Sequence, residues 1–176
     1  MERIVVGGIS GVGKTMLARE LARRLDLPYV DFDALFHGPG WTRRSTFETD
    51  VDAFLATDRW VTDSDGYQSF LGSRVHERAD TLVWLDYPRW LVMWRVIRRT
   101  IRRLLSRERL FNDNRERLLA AVLDPEHPVR WAWTQHADRR RRNETIAADR
   151  AFAQLTVVRL RSPRETREWL TGLADV

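Results

Sequence analysis

The sequence predicts an α/β fold in which a parallel β-sheet is covered by helices on both faces. Short β-branched and apolar runs alternate along the chain with stretches of helical periodicity, an order that favours parallel strands joined by crossover helices. The chain has 176 residues, 43% of them hydrophobic, which is enough for one domain with its own core. No repeat, linker or change of composition divides it, so we expect a single domain over residues 1–176.

The elements follow each other in a regular order. Strand patterns occur, in chain order, in RIVVGGI, PYVDFD, RWVTDSDG, DTLVWLDYP and LTVVRL. Helical patterns occur from Met16 to Pro28, over residues 46–57, from Pro88 to about Arg109, over 114–123, over 129–149, and in SPRETREWLTGL. In parallel sheets ligands bind beyond the carboxyl ends of the strands, so the residues that follow each strand are the first candidates for a site.

The loop after the first strand carries the most specific motif. GISGVGKT, residues Gly8 to Thr15, matches G-x-x-x-x-G-K-[S/T] between a predicted strand and a predicted helix. Glycines let phosphate oxygens approach the main chain, whose amides and helix N-terminus attract negative charge. A turn that merely joins strand to helix is the alternative. We predict an ATP site formed by Gly8, Ser10, Gly11, Val12, Gly13, Lys14, Thr15 and Met16.

Lys14 is the only lysine in the chain; the remaining basic side chains among its 30 Lys and Arg residues are arginines. An ammonium is a compact charge on a flexible stem, whereas a guanidinium is planar and prefers a two-point partner. Lys14 is therefore predicted to be a catalytic residue that contacts the terminal phosphates of ATP.

Aspartates follow the second and third predicted strands. Asp31 and Asp33 alternate, so as strand residues they would share a face. We expect one to orient metal-bound water and the other to accept a proton from an acceptor hydroxyl; capping of a short helix is the alternative for Asp33. The predicted Mg²⁺ ligands are Thr15, Asp31 and Asp63, and the predicted catalytic carboxylate is Asp33.

Two further aspartates compete with Asp63 for the metal. Asp65 lies in the same TDSDGY stretch, which could equally be a turn rich in Asp, Ser and Gly. Asp86 follows the hydrophobic strand pattern in DTLVWLDYP, but Pro88 comes directly after it, so Asp86 could instead cap the next helix. The sequence leaves the choice among the three open.

The helix predicted from Pro88 to Arg109 is amphipathic. Its apolar stripe consists of Trp90, Trp94, Ile97, Ile101 and Leu105. Its opposite stripe consists of Arg95, Arg98, Arg99, Arg102 and Arg103. Such a stripe is usually a solvated face, but arginines on a lid also neutralise a transferred phosphoryl group. We predict an arginine-rich helical lid over about residues 98–142, with Arg98 and Arg102 as catalytic residues that contact phosphate.

The composition indicates the cellular compartment in which the protein acts and the kind of partner that it binds. The net charge is +5 and the pI about 10.5, which suits a polyanion partner or reflects an arginine-rich composition with solvated charges. The absence of cysteine argues against a disulfide scaffold. With no long apolar run and no signal-peptide pattern, we expect a cytoplasmic protein without a membrane span. It should be a monomer or homodimer that acts on a small-molecule phosphate acceptor; nucleic acid is a less favoured partner.

These motifs together resemble P-loop kinases of the adenylate kinase and shikimate kinase type. More narrowly, they resemble the bacterial adenylate-kinase-like proteins called topology modulation proteins. The resemblance rests on GISGVGKT, DFDALFHGPGW, RWVTD, ADTLVWLDYPRWLVMWRVIRRTIRRLL, NRERL and VVRLRSPRE. The chain departs from the narrower group at DSDGY, where that group would have Asp-Gly-Asn-Tyr.

The resemblance implies a three-layer P-loop NTPase fold with a five-stranded parallel sheet in the order 2-3-1-4-5. It also implies nucleotide binding at Gly11, Gly13, Lys14 and Thr15, and acceptor binding around Asp33. The expected function is a kinase that uses ATP and Mg²⁺ to phosphorylate a nucleoside monophosphate or a related small metabolite. The alternatives are a nucleotide-dependent protein associated with nucleic acid and a slow NTPase without a small acceptor.

Overall fold

The computed structural model describes residues 1–63, 67–106 and 128–173. In this part of the chain, five parallel strands form one sheet. They are β1 (Arg3–Gly7), β2 (Tyr29–Val30), β3 (Trp60–Thr62), β4 (Thr81–Leu85) and β5 (Thr156–Leu160). Their order across the sheet is β2-β3-β1-β4-β5. The predicted α/β class and strand order are therefore confirmed.

Helices connect the strands. In chain order they are α1 (Lys14–Leu25), α2 (Phe32–Phe36), α3 (Phe47–Leu55), α4 (Gln68–Leu71), α5 (Arg74–Arg78), α6 (Arg89–Ser106), α7 (Pro128–Ala148) and α8 (Pro163–Gly172). The last begins as the sequence indicates, because the Ser162 side chain accepts the N–H of Glu165 and Pro163 occupies the first turn. The helix predicted over 114–123 lies outside the described residues. None of the described helices is long and apolar enough to cross a membrane.

The two faces of the sheet pack into separate hydrophobic clusters, which gives the three layers. Ile4 and Val6 of β1 pack with Leu17 and Leu21 of α1 on one face. Val5, between them, points to the other face and packs in the cluster that contains α3. This alternation along one strand is the reason that helices cover both sides.

Strand register brings three loop positions to one edge of the sheet. Val5 of β1 is paired with Thr62 at the end of β3, and Gly7 is paired with Trp84 near the end of β4. The residues that follow, Gly8, Asp63 and Asp86, therefore lie at the same carboxyl edge.

Helix α6 turns its bulky apolar stripe outward. Trp90, Trp94, Ile97 and Ile101 are 45–71% exposed. The buried positions are instead Val92, Val96 and Thr100, spaced four residues apart. At Val96 a small β-branched side chain is needed, because α6 approaches Gly11 of the glycine-rich loop closely there. The side chains of Arg103 and Leu105 lie outside the described residues.

Candidate active site

The loop between β1 and α1 contains positions whose backbone only glycine tolerates well. Gly8 has φ of 136°, and a Cβ there would lie 2.8 Å from the Leu85 carbonyl oxygen of β4. Gly11 has φ of 83°, and a Cβ there would lie 2.1 Å from Cγ2 of Val96. The glycines thus allow both a left-handed turn and close packing of the loop between β4 and α6.

The loop ends at the N-terminus of α1, where no side chain caps the helix. The first amides of a helix lack partners within it and attract anions. Lys14 is partly buried, and its Nζ lies 3.4 Å from the Ile9 carbonyl oxygen, above the same loop. Of the other predicted nucleotide-binding positions, Ser10 and Gly13 are partly buried, Val12 is buried and Met16 is exposed.

Thr15 and Asp63 join α1 to the end of β3. The Thr15 hydroxyl donates a hydrogen bond of 2.5 Å to Oδ2 of Asp63. Asp63 is only 5% exposed, and its Oδ1 has no hydrogen-bond partner among the described residues. A buried carboxylate oxygen without a partner is costly, so this position suits a bound cation.

Asp31 and Asp33 do not share a strand face, contrary to the sequence-based expectation. Strand β2 ends at Val30, and Asp31 is the N-cap of α2: its Oδ1 accepts the Asp33 N–H at 2.9 Å. The cap is therefore Asp31 rather than Asp33, because the chain turns into a helix one residue after the strand. Asp33 lies in the first turn of α2 and accepts a 2.5 Å hydrogen bond from the Tyr67 hydroxyl.

The three carboxylates influence one another. Burial, followed by the charges of Asp63 and Asp33, raises the pKa of Asp31 to about 6. Burial also raises the pKa of Asp63, against the opposing effects of the Thr15 hydrogen bond and the Lys14 charge. The pKa of Tyr67 is raised by burial and by the Asp33 charge, so the phenol stays protonated and donates. Negative charge is therefore concentrated at the ends of β2 and β3.

The structure brings an arginine to the loop that the sequence analysis did not select. Arg95 of α6 donates from Nη1 to the Val12 carbonyl oxygen at 2.6 Å. Arg98 and Arg102, the predicted lid arginines, are exposed one and two turns further along α6. Arg98 lies over the Trp94 ring, 5.3 Å from its centroid. The arginine stripe was visible in the sequence, but the rotation of α6 against the loop was not.

Tyr67 is the second residue that sequence reasoning missed. It lies four positions after Asp63, beyond residues 64–66, which lie outside the described part of the chain together with the candidate Asp65. Only the fold brings its hydroxyl to Asp33, which is 34 residues away along the sequence.

Asp86 lies in a polar cleft that is also lined by Gly8 and Ile9 of the phosphate-binding loop. Its carboxylate, 4% exposed, accepts two hydrogen bonds from Arg159 of β5 at 2.7 and 2.9 Å and lies 3.4 Å from Arg140 of α7. This ion-paired position differs from the two roles that the sequence left open, because β5 and α7 supply cations that the local pattern does not reveal. Asp63 and Asp86 are the two candidate metal ligands whose contacts the structure describes. Of these two, Asp63 is the one that hydrogen-bonds to Thr15.

The donor set at Thr15 and Asp63 fits Mg²⁺. Hydroxyl and carboxylate oxygens are hard ligands, and Mg²⁺ usually keeps several waters and takes few ligands from the protein. No group of three or more His, Cys, Asp or Glu in the described parts of the chain could hold a metal ion by itself. Thr15 and Asp63 would therefore hold Mg²⁺ together with water and nucleotide phosphates, with Asp31 nearby.

Comparison with known proteins gives the family. A shikimate kinase from Paramagnetospirillum magneticum is 30% identical over an alignment of 141 residues that covers 72% of this chain and 70% of that protein. The chain belongs to the P-loop small-molecule kinases of the shikimate kinase type. This kinase is therefore an ATP-dependent phosphotransferase. No family model matches it.

Solved shikimate kinases support the fold of this kinase. The enzyme from Acinetobacter baumannii, in complex with shikimate, has a TM-score of 0.57 at 18% identity, covering 98% of this chain and 90% of that chain. The enzyme from Bacteroides thetaiotaomicron has a TM-score of 0.56 at 13% identity, covering 99% and 97%. None of these three proteins is named a topology modulation protein, so the narrower resemblance stays a prediction.

Proposed function

We propose that this kinase uses Mg²⁺ to transfer the γ-phosphate of ATP to a small acceptor bound between α2 and the end of β3. The observation that carries the proposal is the hydrogen bond between Thr15 and Asp63. It places a buried carboxylate with one unpartnered oxygen directly beside the phosphate-binding loop. A turn that only connected β1 to α1 would have no need for such a costly arrangement.

The loop residues bind and orient the nucleotide. The amides at the start of α1 and the Lys14 ammonium hold phosphate oxygens, and the nucleotide-binding set is the one predicted from the sequence. Bound Mg²⁺ would neutralise charge on the phosphates. Thr15 and Asp63 would hold it, and Asp31 would orient water around it. Phosphoryl transfer asks for little covalent chemistry from the protein, so positioning and electrostatics supply most of the rate.

Asp33 is proposed as the catalytic carboxylate on the acceptor side. The Tyr67 hydroxyl donates to Oδ1 and fixes the orientation of the carboxylate. Asp33 is exposed, so an acceptor hydroxyl can reach it and give it a proton as the new bond to phosphorus forms. Arg98 and Arg102 are proposed to contact the transferred phosphoryl group. Arg95 is added because it already bonds to the loop.

The acceptor expected from the sequence is a nucleoside monophosphate or a related small metabolite. A second candidate function is nucleotide-dependent association with nucleic acid. It is favoured by the exposed indoles of Trp90 and Trp94 and by Arg98, which lies over the Trp94 ring, since exposed aromatic rings and arginines suit single-stranded nucleic acid. The cytoplasm remains the compartment we expect.

To test this proposal, the full chain is incubated with γ-labelled ATP, Mg²⁺ and a panel of nucleoside monophosphates, nucleosides and hydroxylated metabolites. We expect a labelled product that needs both an acceptor and Lys14. Asp33→Asn should abolish product formation while ATP binding, measured by calorimetry, persists. ADP release that is equal with and without every acceptor would contradict the proposal. Tight, salt-sensitive binding of DNA or RNA that survives Lys14→Ala would support the second candidate.

A further inference from the structure

The peptide bond between Val12 and Gly13 lies within the phosphate-binding loop and is bonded to α6. Its carbonyl oxygen accepts the 2.6 Å hydrogen bond from Nη1 of Arg95. In a planar trans peptide the C=O and the N–H that follows it point in opposite directions, so this bond also fixes the direction of the Gly13 N–H. Gly13 is the N-cap of α1, and its N–H therefore faces away from Arg95, at the helix end where phosphate oxygens are expected.

Arg95 needs support to keep this bond. Arginine has a long side chain with many rotamers, and fixing it in one of them is opposed by conformational entropy. The Tyr87 ring offsets this cost: Cζ of Arg95 lies 5.2 Å from the ring centroid, within the range of a cation–π interaction. Because Arg95 is only partly buried, this contact favours the guanidinium at Val12 over its position in solvent.

Tyr87 is itself held at both ends. It is only 4% exposed, and its hydroxyl lies 2.6 Å from Oγ1 of Thr166, near the start of α8. Thr166 uses its one hydroxyl proton to donate to the Ser162 carbonyl oxygen at 3.1 Å, so the Tyr87 hydroxyl is the donor in this pair. At the other end, the Tyr87 carbonyl oxygen accepts a 3.1 Å hydrogen bond from Nε2 of His136 on α7. The ring therefore has a fixed position against Arg95.

Packing alone does not account for the Tyr87 hydroxyl. Tyr87 belongs to the hydrophobic cluster that contains Ile9 and Leu17, where a phenylalanine would fill the same space. What the hydroxyl adds is the bond to Thr166, which fixes the edge of the ring. Tyr87 thus connects the start of α8 to the guanidinium that orients the loop.

We propose that Tyr87 is a positioning residue of the nucleotide site, an inference that rests on the ATP binding proposed above. Its hydroxyl is anchored at Thr166 and its ring holds Arg95. Arg95 in turn holds the Val12–Gly13 peptide with the Gly13 N–H directed at a phosphate oxygen of ATP. Tyr87 acts through Arg95 rather than on the nucleotide, and the loop is ordered before ATP binds, which reduces the entropic cost of binding.

Calorimetry of the full chain with ATP and Mg²⁺, without an acceptor, tests this role through the Kd for ATP. Tyr87→Leu should raise the Kd by about tenfold or more, because Arg95 loses the ring that holds it. Tyr87→Phe keeps the ring and should restore most of the affinity, to within about threefold of the parent. In initial-rate measurements the KM for the acceptor should stay within about twofold, because the acceptor is bound elsewhere. An equal rise in both KM values would overturn the inference.

Thr166→Val tests the anchor without altering Tyr87. It removes the partner of the Tyr87 hydroxyl and should raise the Kd for ATP by about threefold. The matched control is Thr171→Val on the same helix: the exposed Thr171 hydroxyl also donates to the carbonyl oxygen four residues earlier, that of Arg167, at 2.9 Å. The control should bind ATP as the parent does.

A double-mutant cycle tests whether Tyr87 acts through Arg95. Arg95→Ala alone should raise the Kd for ATP by about tenfold or more, because the Val12 carbonyl loses its donor. In that background Tyr87→Leu should change the Kd by less than about twofold, since no guanidinium is left for the ring to hold. Two losses that multiply in full would show that Tyr87 acts independently of Arg95 and would overturn the inference.

The outcomes separate this inference from the proposed function. A parental Kd in Tyr87→Leu overturns the inference alone. Should Tyr87→Leu fail to fold, a parental Kd in both Tyr87→Phe and Thr166→Val overturns it. No uptake of ATP by the parent chain overturns the proposed function as well.

Discussion

The hydroxyl of Thr15 and the carboxylate of Asp63 are 2.5 Å apart, although 48 residues separate them in the sequence. Thr15 belongs to the first turn of α1 and Asp63 directly follows β3. Because β1 and β3 are parallel neighbours, the loop after one and the end of the other meet at the same edge. This contact joins the phosphate-binding loop to the acidic side of the site, and it underlies the first prediction.

Asp63→Asn should raise the Mg²⁺ concentration needed for half-maximal ADP release by about tenfold or more, since an amide is a weaker ligand than a carboxylate. Thr15→Ala should act in the same direction, whereas Thr15→Ser keeps the hydroxyl and should remain close to the parent enzyme. A magnesium titration of the initial rate measures this. An unchanged Mg²⁺ requirement in Asp63→Asn would remove this residue from the metal site.

Lys14→Ala should lower the rate of ADP release by about a hundredfold or more, because a charge directed at the phosphates is lost. Lys14→Arg should not restore the rate, since a planar guanidinium does not fit a loop built for an ammonium. The melting temperature should change little. Arg23→Ala on the same helix, where Arg23 is exposed and pairs only with Glu20 among the described contacts, is the matched control and should retain activity.

Gly11→Ala should destabilise the fold by about 1–3 kcal/mol, because the new methyl group meets Val96 and the left-handed backbone is strained. Gly40→Ala is the control: its φ is 66° and nothing lies within 4 Å, so only the backbone cost of about 1 kcal/mol remains. Urea denaturation measures both. In a double-mutant cycle, Val96→Ala should recover part of the loss in Gly11→Ala, and strict additivity would argue against the close contact.

Asp31→Asn should change the pH dependence of stability. The pKa of Asp31 is about 6 in the folded protein against an ordinary 3.8, so the folded state holds this proton more tightly. The stabilisation linked to the proton is present below about pH 4 and is lost as the pH rises through about 6. The quantity to compare is the free energy of unfolding of Asp31→Asn minus that of the parent, in metal-free buffer. This difference should be more positive at about pH 8 than at about pH 4.5. The same difference at both pH values would contradict the pKa assignment.

Arg98→Ala and Arg102→Ala should each lower kcat, by about tenfold or more, with little change in melting temperature. Both side chains are exposed, so their removal leaves no cavity, and an arginine that reaches the transferred phosphoryl group acts mainly in the transition state. Arg95→Ala should in addition raise the KM for ATP, because Arg95 supports the loop at Val12. Arg164→Ala, on the exposed side of α8, is the control. Full activity of both Arg98→Ala and Arg102→Ala would exclude them.

Local sequence signals located most of the fold. Short apolar runs predicted the strands and helical periodicity predicted the helices. Ser162 and Pro163 predicted where α8 begins. Strand β2 was harder: the pattern PYVDFD extends to Asp33, but the strand stops at Val30 because Asp31 caps a helix. A carboxylate that serves equally well on a strand or as a cap cannot be assigned from its spacing.

The amphipathic pattern of α6 did not predict which side of the helix is buried. The sequence separated the apolar and arginine stripes of α6, yet the core takes Val92, Val96 and Thr100 and leaves the indoles of Trp90 and Trp94 exposed. Amphipathicity gives the period of a helix but not which side faces a glycine loop where large side chains have no room.

The sequence by itself determined that the chain has a phosphate-binding loop with one lysine, a parallel sheet, and acidic residues after two of its strands. The loop and the acidic residues are local features, each contained in one turn or one strand, and the parallel sheet follows from the alternation of strand and helix patterns along the chain. Only the tertiary structure decided that Asp63 meets Thr15, that Tyr67 holds Asp33, that Arg95 reaches the loop, and that Asp86 pairs with Arg159. These contacts join residues 34 to 83 positions apart, so they depend on strand order and helix rotation, which no local pattern contains.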